Sequence, residues 1–118
     1  RQVYAWYNEE LQDLPGIVPQ PQAEWAELSP WLYSVLVSEN SPVGRDELAS
    51  SLEKRGVETR PFFVPIHSLP PYAQSRAWDM TETNRLALQG INLPTHPALT
   101  HDDVAYVAEC IREASKGA

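Results

Sequence analysis

The prolines at positions 61, 65, 70 and 71 constrain this chain more than any other feature. They punctuate Glu58-Thr59-Arg60-Pro61-Phe62-Phe63-Val64-Pro65-Ile66-His67-Ser68-Leu69-Pro70-Pro71-Tyr72, which begins as a strand. Val57 and Thr59 are β-branched, and two phenylalanines follow. Each proline fixes its own φ, gives no N–H to a ladder and pushes the residue before it out of the α region. The expected product is an extended, stiff arm that carries one arginine, Arg60, and one histidine, His67, at a set reach. A chain that only had to turn here would use Gly or Asn-Gly.

The segments around the arm alternate in period. Residues 1–14 read as an amphipathic helix on Val3, Tyr7, Leu11 and Leu14, stopped by Pro15-Gly16. Ile17-Val18 reads as a short edge strand. Residues 19–30 read as a loop, with Trp25 folded onto the core as a lid. Trp31 to Val37 reads as a central strand covered on both faces, with Trp31, Tyr33, Val35 and Val37 on one of them. A helix is expected over 45–55, with Asp46 and Glu47 in its first turn, Lys54 and Arg55 in its last, and Gly56 at C′. Thr81 is expected to cap a third helix anchored by Leu86 and Leu88 and ended by Gly90. Ile91-Asn92-Leu93 is a short strand cut off by Pro94. Thr100-His101-Asp102-Asp103 opens the last helix like a capping box, with Asp in the Glu position. Val104, Val107, Ala108 and Ile111 form its core stripe, and fraying is expected from Ser115 onward. The fold class is therefore α/β (α+β, two layers): a small sheet of three or four short strands with helices mainly on one face.

The 118 residues suit one domain with one core, and 42% hydrophobic content is adequate for burial. Nine basic residues against 16 acidic give a net charge of −7 with no basic run. That balance argues against nucleic acid and against an anionic membrane surface. No apolar stretch approaches the roughly 20 residues of a membrane span. No signal-peptide pattern is present. The lone cysteine, Cys110, excludes an internal disulfide, fits a reducing cytoplasm and reads as a small buried hydrophobe. Arg1 opens inside a helical pattern, so the chain is expected to be the C-terminal part of something longer, or trimmed.

The chemical inventory is thin. His67, His96 and His101 are not spaced as zinc ligands. No P-loop, G-x-G-x-x-G or G-x-S-x-G pattern occurs. Two readings stand for His67: a ligand contact on a rigidly supported loop, or a ring bonded to a loop carbonyl and packed on Tyr72. Arg60 can grip a carboxylate or phosphate bidentately, or form a surface ion pair with Glu58. Trp6, Trp25 and Trp31 read as core or interface, because no basic residues interleave with them.

The run Gly44-Arg45-Asp46-Glu47-Leu48, then Arg55-Gly56-Val57-Glu58-Thr59-Arg60-Pro61-Phe62-Phe63, Pro65-Ile66-His67, Pro70-Pro71-Tyr72 and Ile91-Asn92-Leu93-Pro94 with Leu99-Thr100 and Asp103 resembles the DegT/DnrJ/EryC1/StrS family of pyridoxal-phosphate (PLP) nucleotide-sugar aminotransferases. The resemblance is to the C-terminal small domain of type I PLP aminotransferases, with residues 1–14 as the end of the interdomain helix and 15–118 as the α/β domain. It implies a homodimer, a nucleotide-sugar substrate and PLP held by a separate large domain, with no cofactor residue in this chain. It places Arg60–Tyr72 near the active-site cleft, with His67, Arg60 and Phe63 as substrate-contact candidates. Neither lysine, Lys54 or Lys116, sits in the family's cofactor-lysine context, so no transamination is expected of this chain alone. From another class, the chain reads as a free-standing binding or self-association module whose bare apolar face pairs with a partner.

Overall fold

Alternating burial along a strand and a 3.6-residue stripe along a helix give each core-forming element one covered face. The computed structural model, which describes residues 1–117, shows how those faces meet. Helix α1 is Gln2–Leu11, strand β1 Ile17–Pro19, β2 Tyr33–Val37 and α2 Arg45–Glu53. Strand β3 is Arg60–Pro61, followed by 3-10 turns at Ile66–Ser68 and Pro70–Tyr72; then come α3 Thr81–Gln89, β4 Gly90–Leu93 and α4 His101–Lys116. The strands form one antiparallel sheet in the order β1-β2-β4-β3. This is the expected α/β class. Both edges carry a proline, Pro19 and Pro61, which blunts them against further pairing.

The core lies between one sheet face and helices α1, α2 and α4. In β2 the alternation buries Tyr33, Val35 and Val37 and leaves Ser34 and Leu36 half-buried. Opposite them stand Leu93 and Ile91 of β4 and Ile17 of β1. Leu48 and Leu52 of α2 and Val104, Val107, Ala108 and Ile111 of α4 close the other side. Full burial of each large aliphatic side chain contributes about 1.5–3 kcal/mol.

Local signals explain most boundaries. Thr100 and Asp103 form the reciprocal capping box at the start of α4. Those hydrogen bonds to the Thr100 backbone and hydroxyl hold the Asp103 carboxyl below the usual carboxylate range. At the end of α2, Val57 N–H donates to Leu52 O and Gly56 N–H to Glu53 O, with Gly56 at φ +77°. This is a Schellman closure.

Several expectations are corrected. Trp31 lies outside β2 and is 73% exposed; Trp25 is 90% exposed and is no lid. The second face of β2 is only half-covered. Lys54 and Arg55 fall beyond the last residue of α2, although Arg55 still reaches back to Ser51 O at 3.1 Å. Thr81 does not cap α3; Asp79 accepts from its N–H and its hydroxyl at 3.0 and 2.6 Å. Leu86 and Leu88 do not anchor α3, since Leu88 is 71% exposed. The arm is not extended throughout, because Pro65 and Pro70-Pro71 start 3-10 turns. Helix α4 holds through Ser115 and Lys116, with Lys116 paired to Glu113 at 2.8 Å; Ala118, in the tail expected to fray, lies outside the described residues.

Three tyrosines join α1 to β2. The Tyr7 and Tyr33 rings stack at 4.5 Å, and Tyr4 meets Tyr33 edge-on at 5.0 Å. Each hydroxyl is satisfied: Tyr4 donates to Leu32 O, Tyr7 to Pro94 O and Tyr33 to Asn8 Oδ1. Burial, with Tyr4 adding to it, pushes the Tyr33 phenol up to about 12, and burial raises Tyr7 as well. An ordinary phenol titrates near 10. Below about pH 10 both folded and unfolded states hold these protons. Above it the unfolded state loses them first, so stability falls as pH rises through the folded values. Denaturant unfolding across an alkaline series is expected to show that decline, and Tyr33→Phe is expected to flatten it.

Candidate functional site

The uncovered sheet face carries the candidate site. Residue 62 follows β3, and its N–H donates to Gly90 O at 3.2 Å. The Phe62 ring lies directly on Gly90: a Cβ there would stand 2.2 Å from it. Glycine is required at position 90 for this approach, since its φ is an ordinary −77°. Arg45, at the start of α2, extends its guanidinium to Ala87 O at 3.1 Å and Gly90 O at 2.9 Å. It thereby satisfies the Ala87 carbonyl, which the end of α3 leaves without a helical partner, and shares the Gly90 carbonyl with the Phe62 N–H. The arm and α3 are thus fixed along one side of the open face, and the loop through Leu28 and Trp31 rises along the other.

Between them is a cleft of about 570 Å³. That size suits a small-molecule ligand. Its walls include Leu28, Trp31, Phe62, Phe63, Ile66 and Leu86; its floor includes Ser34 and Asn92. No lining side chain carries a charge. Ser34 Oγ donates to Asn92 Oδ1 at 2.6 Å across the β2–β4 pair. Arg60 of β3 is the register partner of Asn92, so Ser34, Asn92 and Arg60 form one cross-strand row.

The three sequence candidates do not converge on one point. Phe63 lines the cleft and is 84% exposed. Arg60 stands outside its lining, paired with Glu58 at 2.5 Å on the solvent side. His67 is half-buried in the first 3-10 turn, beyond the lining; its ring makes no hydrogen bond among the described residues. His101, the first residue of α4, sits 3.5 Å from Glu10 and edge-on to Trp6. No group of acidic, histidine and cysteine side chains suited to a metal occurs among the described residues. The lysines also lie elsewhere: Lys54 caps the end of α2, and Lys116 pairs with Glu113. Sequence reasoning missed Ser34 and Asn92 as a pair and Arg45 as a tie, because each depends on register or on a distant element. The one sequence signal for Asn92 is a polar residue between Ile91 and Leu93 in a strand.

Residues 1–112 match the DegT/DnrJ/EryC1/StrS aminotransferase family. The GDP-perosamine synthase of Vibrio cholerae is 36% identical over 115 residues, 95% of this chain and 30% of that protein. The Caulobacter vibrioides GDP-perosamine synthase is 34% identical over 103 residues, 86% of this chain and 28% of its own length. Among solved structures, DesI in the presence of its TDP-sugar product superposes with a TM-score of 0.88 at 32% identity, over 99% of this chain and 31% of DesI. The aminotransferase TlmJ from Streptoalloteichus hindustanus gives a TM-score of 0.85 at 25% identity, over 99% of this chain and 31% of TlmJ. The chain spans about 30% of the length of the curated relatives it matches. With the match running from the first helix into the last, the chain belongs to the DegT/DnrJ/EryC1/StrS aminotransferase family.

Proposed function

We propose that this chain is the C-terminal small domain of a nucleotide-sugar aminotransferase, supplying the sugar side of a substrate site whose cofactor side lies on a separate large domain. Residues 1–14 would end the helix joining the two, and 15–118 the α/β domain. In the whole cytoplasmic, homodimeric enzyme an amino group passes from an amino acid, glutamate, to a keto-sugar. The observation that carries this reading is the neutral, aromatic-walled cleft on the uncovered sheet face, with Trp31 and Phe63 left 73% and 84% exposed beside it. Family membership and relatives that act on sugars support it.

The family is PLP-dependent. PLP supplies an electron sink, and the protein must supply a lysine for its aldehyde and an acid for its ring nitrogen. The residues here do not fit that role. Neither lysine reaches the cleft, and no carboxylate lines it. The contribution of this chain is to hold the sugar, exclude water with Trp31, Phe62 and Phe63, and set orientation. Arg60 at the end of the polar row suits a phosphate oxygen once it leaves Glu58. His67 and Phe63 complete the contact set from the arm.

The test is an amination assay of the longer protein that contains this chain, with PLP, an amino donor and a nucleotide-linked keto-sugar. Amination by the longer protein and none by the chain alone is the expected result; a longer protein without amination overturns the reading. The exposed apolar side chains also favour a second reading, a self-associating module. Sedimentation of the isolated chain separates them: a tight dimer favours the module, and a well-behaved monomer the enzyme domain.

A further inference from the structure

The cross-strand row on the uncovered face contains an amide with unspent hydrogen-bonding capacity. Asn92 Oδ1 accepts from Ser34 Oγ at 2.6 Å, while its Nδ2 makes no hydrogen bond among the described residues. With Oδ1 turned to the Ser34 hydroxyl, the amide leaves two N–H donors on the floor of the cleft. The floor lies under aromatic and aliphatic walls that bear no charge, in a chain of net charge −7. A phosphate has no counter-charge in that lining; Arg60, the neighbour of Asn92 in register at the outer strand, offers one. Donors without a paired acceptor suit a sugar, whose hydroxyl and carbonyl oxygens all accept. A nucleobase edge that mixes donors with acceptors matches them less well.

We propose that Asn92 is a specificity-determining residue of the cleft, donating its amide N–H groups to ring-substituent oxygens of the sugar, with Ser34 as its positioning residue. This rests on the sugar-aminotransferase reading and extends it to one side chain and one part of the substrate. The division along the row is then phosphate at Arg60 and glycosyl group at Asn92.

The test uses the intact aminotransferase and two variants. Asn92→Asp keeps an oxygen for the Ser34 hydroxyl and removes the donors, so the fold is kept while acceptor oxygens meet a carboxylate. A hydrogen bond lost to a buried group raises the KM for the keto-sugar roughly 10- to 100-fold. The KM for the amino donor is expected to stay unchanged, as is inhibition by the free nucleoside diphosphate. Ser34→Ala, which only frees the amide to turn, is expected to raise the sugar KM by a smaller factor, roughly threefold. If Asn92→Asp fails to fold, Asn92→Ala takes its place with the same expectation. An unchanged sugar KM overturns the proposal. So does an equal loss of nucleoside diphosphate inhibition, which would put the nucleotide on Asn92 instead. A wild-type enzyme that aminates no nucleotide-linked sugar overturns the underlying reading as well, and is recognised before any variant is made.

Discussion

Replacing Gly16 with alanine is expected to lower stability by about 2–5 kcal/mol, the sum of a left-handed backbone penalty and overpacking. Gly16 sits at φ +75° between α1 and β1, and a Cβ built on it would lie 2.2 Å from Ser41 N and 2.3 Å from Ser41 Cα. Backbone atoms stand in the way, so no side-chain rotation relieves the clash. The two segments are also tied by Ser38 N–H donating to Gly16 O at 2.8 Å, so moving them apart breaks the entry to the β1–β2 pair. Gly56 is the internal control. Its φ is +77°, yet a Cβ there meets nothing within 4 Å. Gly56→Ala should therefore cost only the conformational part, about 1–2 kcal/mol. Denaturant unfolding of the two variants measures the difference. Equal losses would show that the close approach at Gly16 is worth nothing.

Leu52→Ala is expected to cost about 2–5 kcal/mol, because the side chain is fully buried in the core around α2 and α4 and leaves a cavity. A domain of this size holds about 5–15 kcal/mol in all, so this change alone consumes much of its margin. Leu88→Ala in α3 should stay within about 0.5 kcal/mol, since that side chain is largely in solvent. The pair tests which helices belong to the core: α2 does, and α3 rests on the uncovered face without a buried residue. Comparable losses at both positions would contradict that division. The measurement is again equilibrium unfolding, with the urea slope checked for constancy.

Features written in short-range chemistry were legible from the sequence. The capping box at Thr100–Asp103, the glycine closure at Gly56 and the stripe Val104, Val107, Ala108 and Ile111 each depend on residues within one or two turns. Apolar residues whose partner is not on the same face were misread. Trp25, Trp31, Leu86 and Leu88 have the composition of core and the exposure of surface, and period alone does not tell which apolar face this chain itself covers. The arm followed the same rule. Prolines excluded regular strand and α-helix, but 3-10 turns satisfy them equally well. Of the cleft, Phe63 was legible because its segment was. Asn92, Ser34 and Arg45 were not: two meet across strands 58 residues apart, and the third caps a helix 42 residues along the chain. Such contacts belong to the sheet order, which no local pattern encodes.

In the proposed division of labour this chain handles the sugar and a separate domain holds PLP. Titrating PLP into the purified 118-residue chain, with an amino donor and a nucleotide-linked keto-sugar present, tests it most directly. The expected result is no saturable visible absorption band and no aminated sugar. A stoichiometric band that disappears in Lys54→Ala or Lys116→Ala, accompanied by sugar amination, would contradict it.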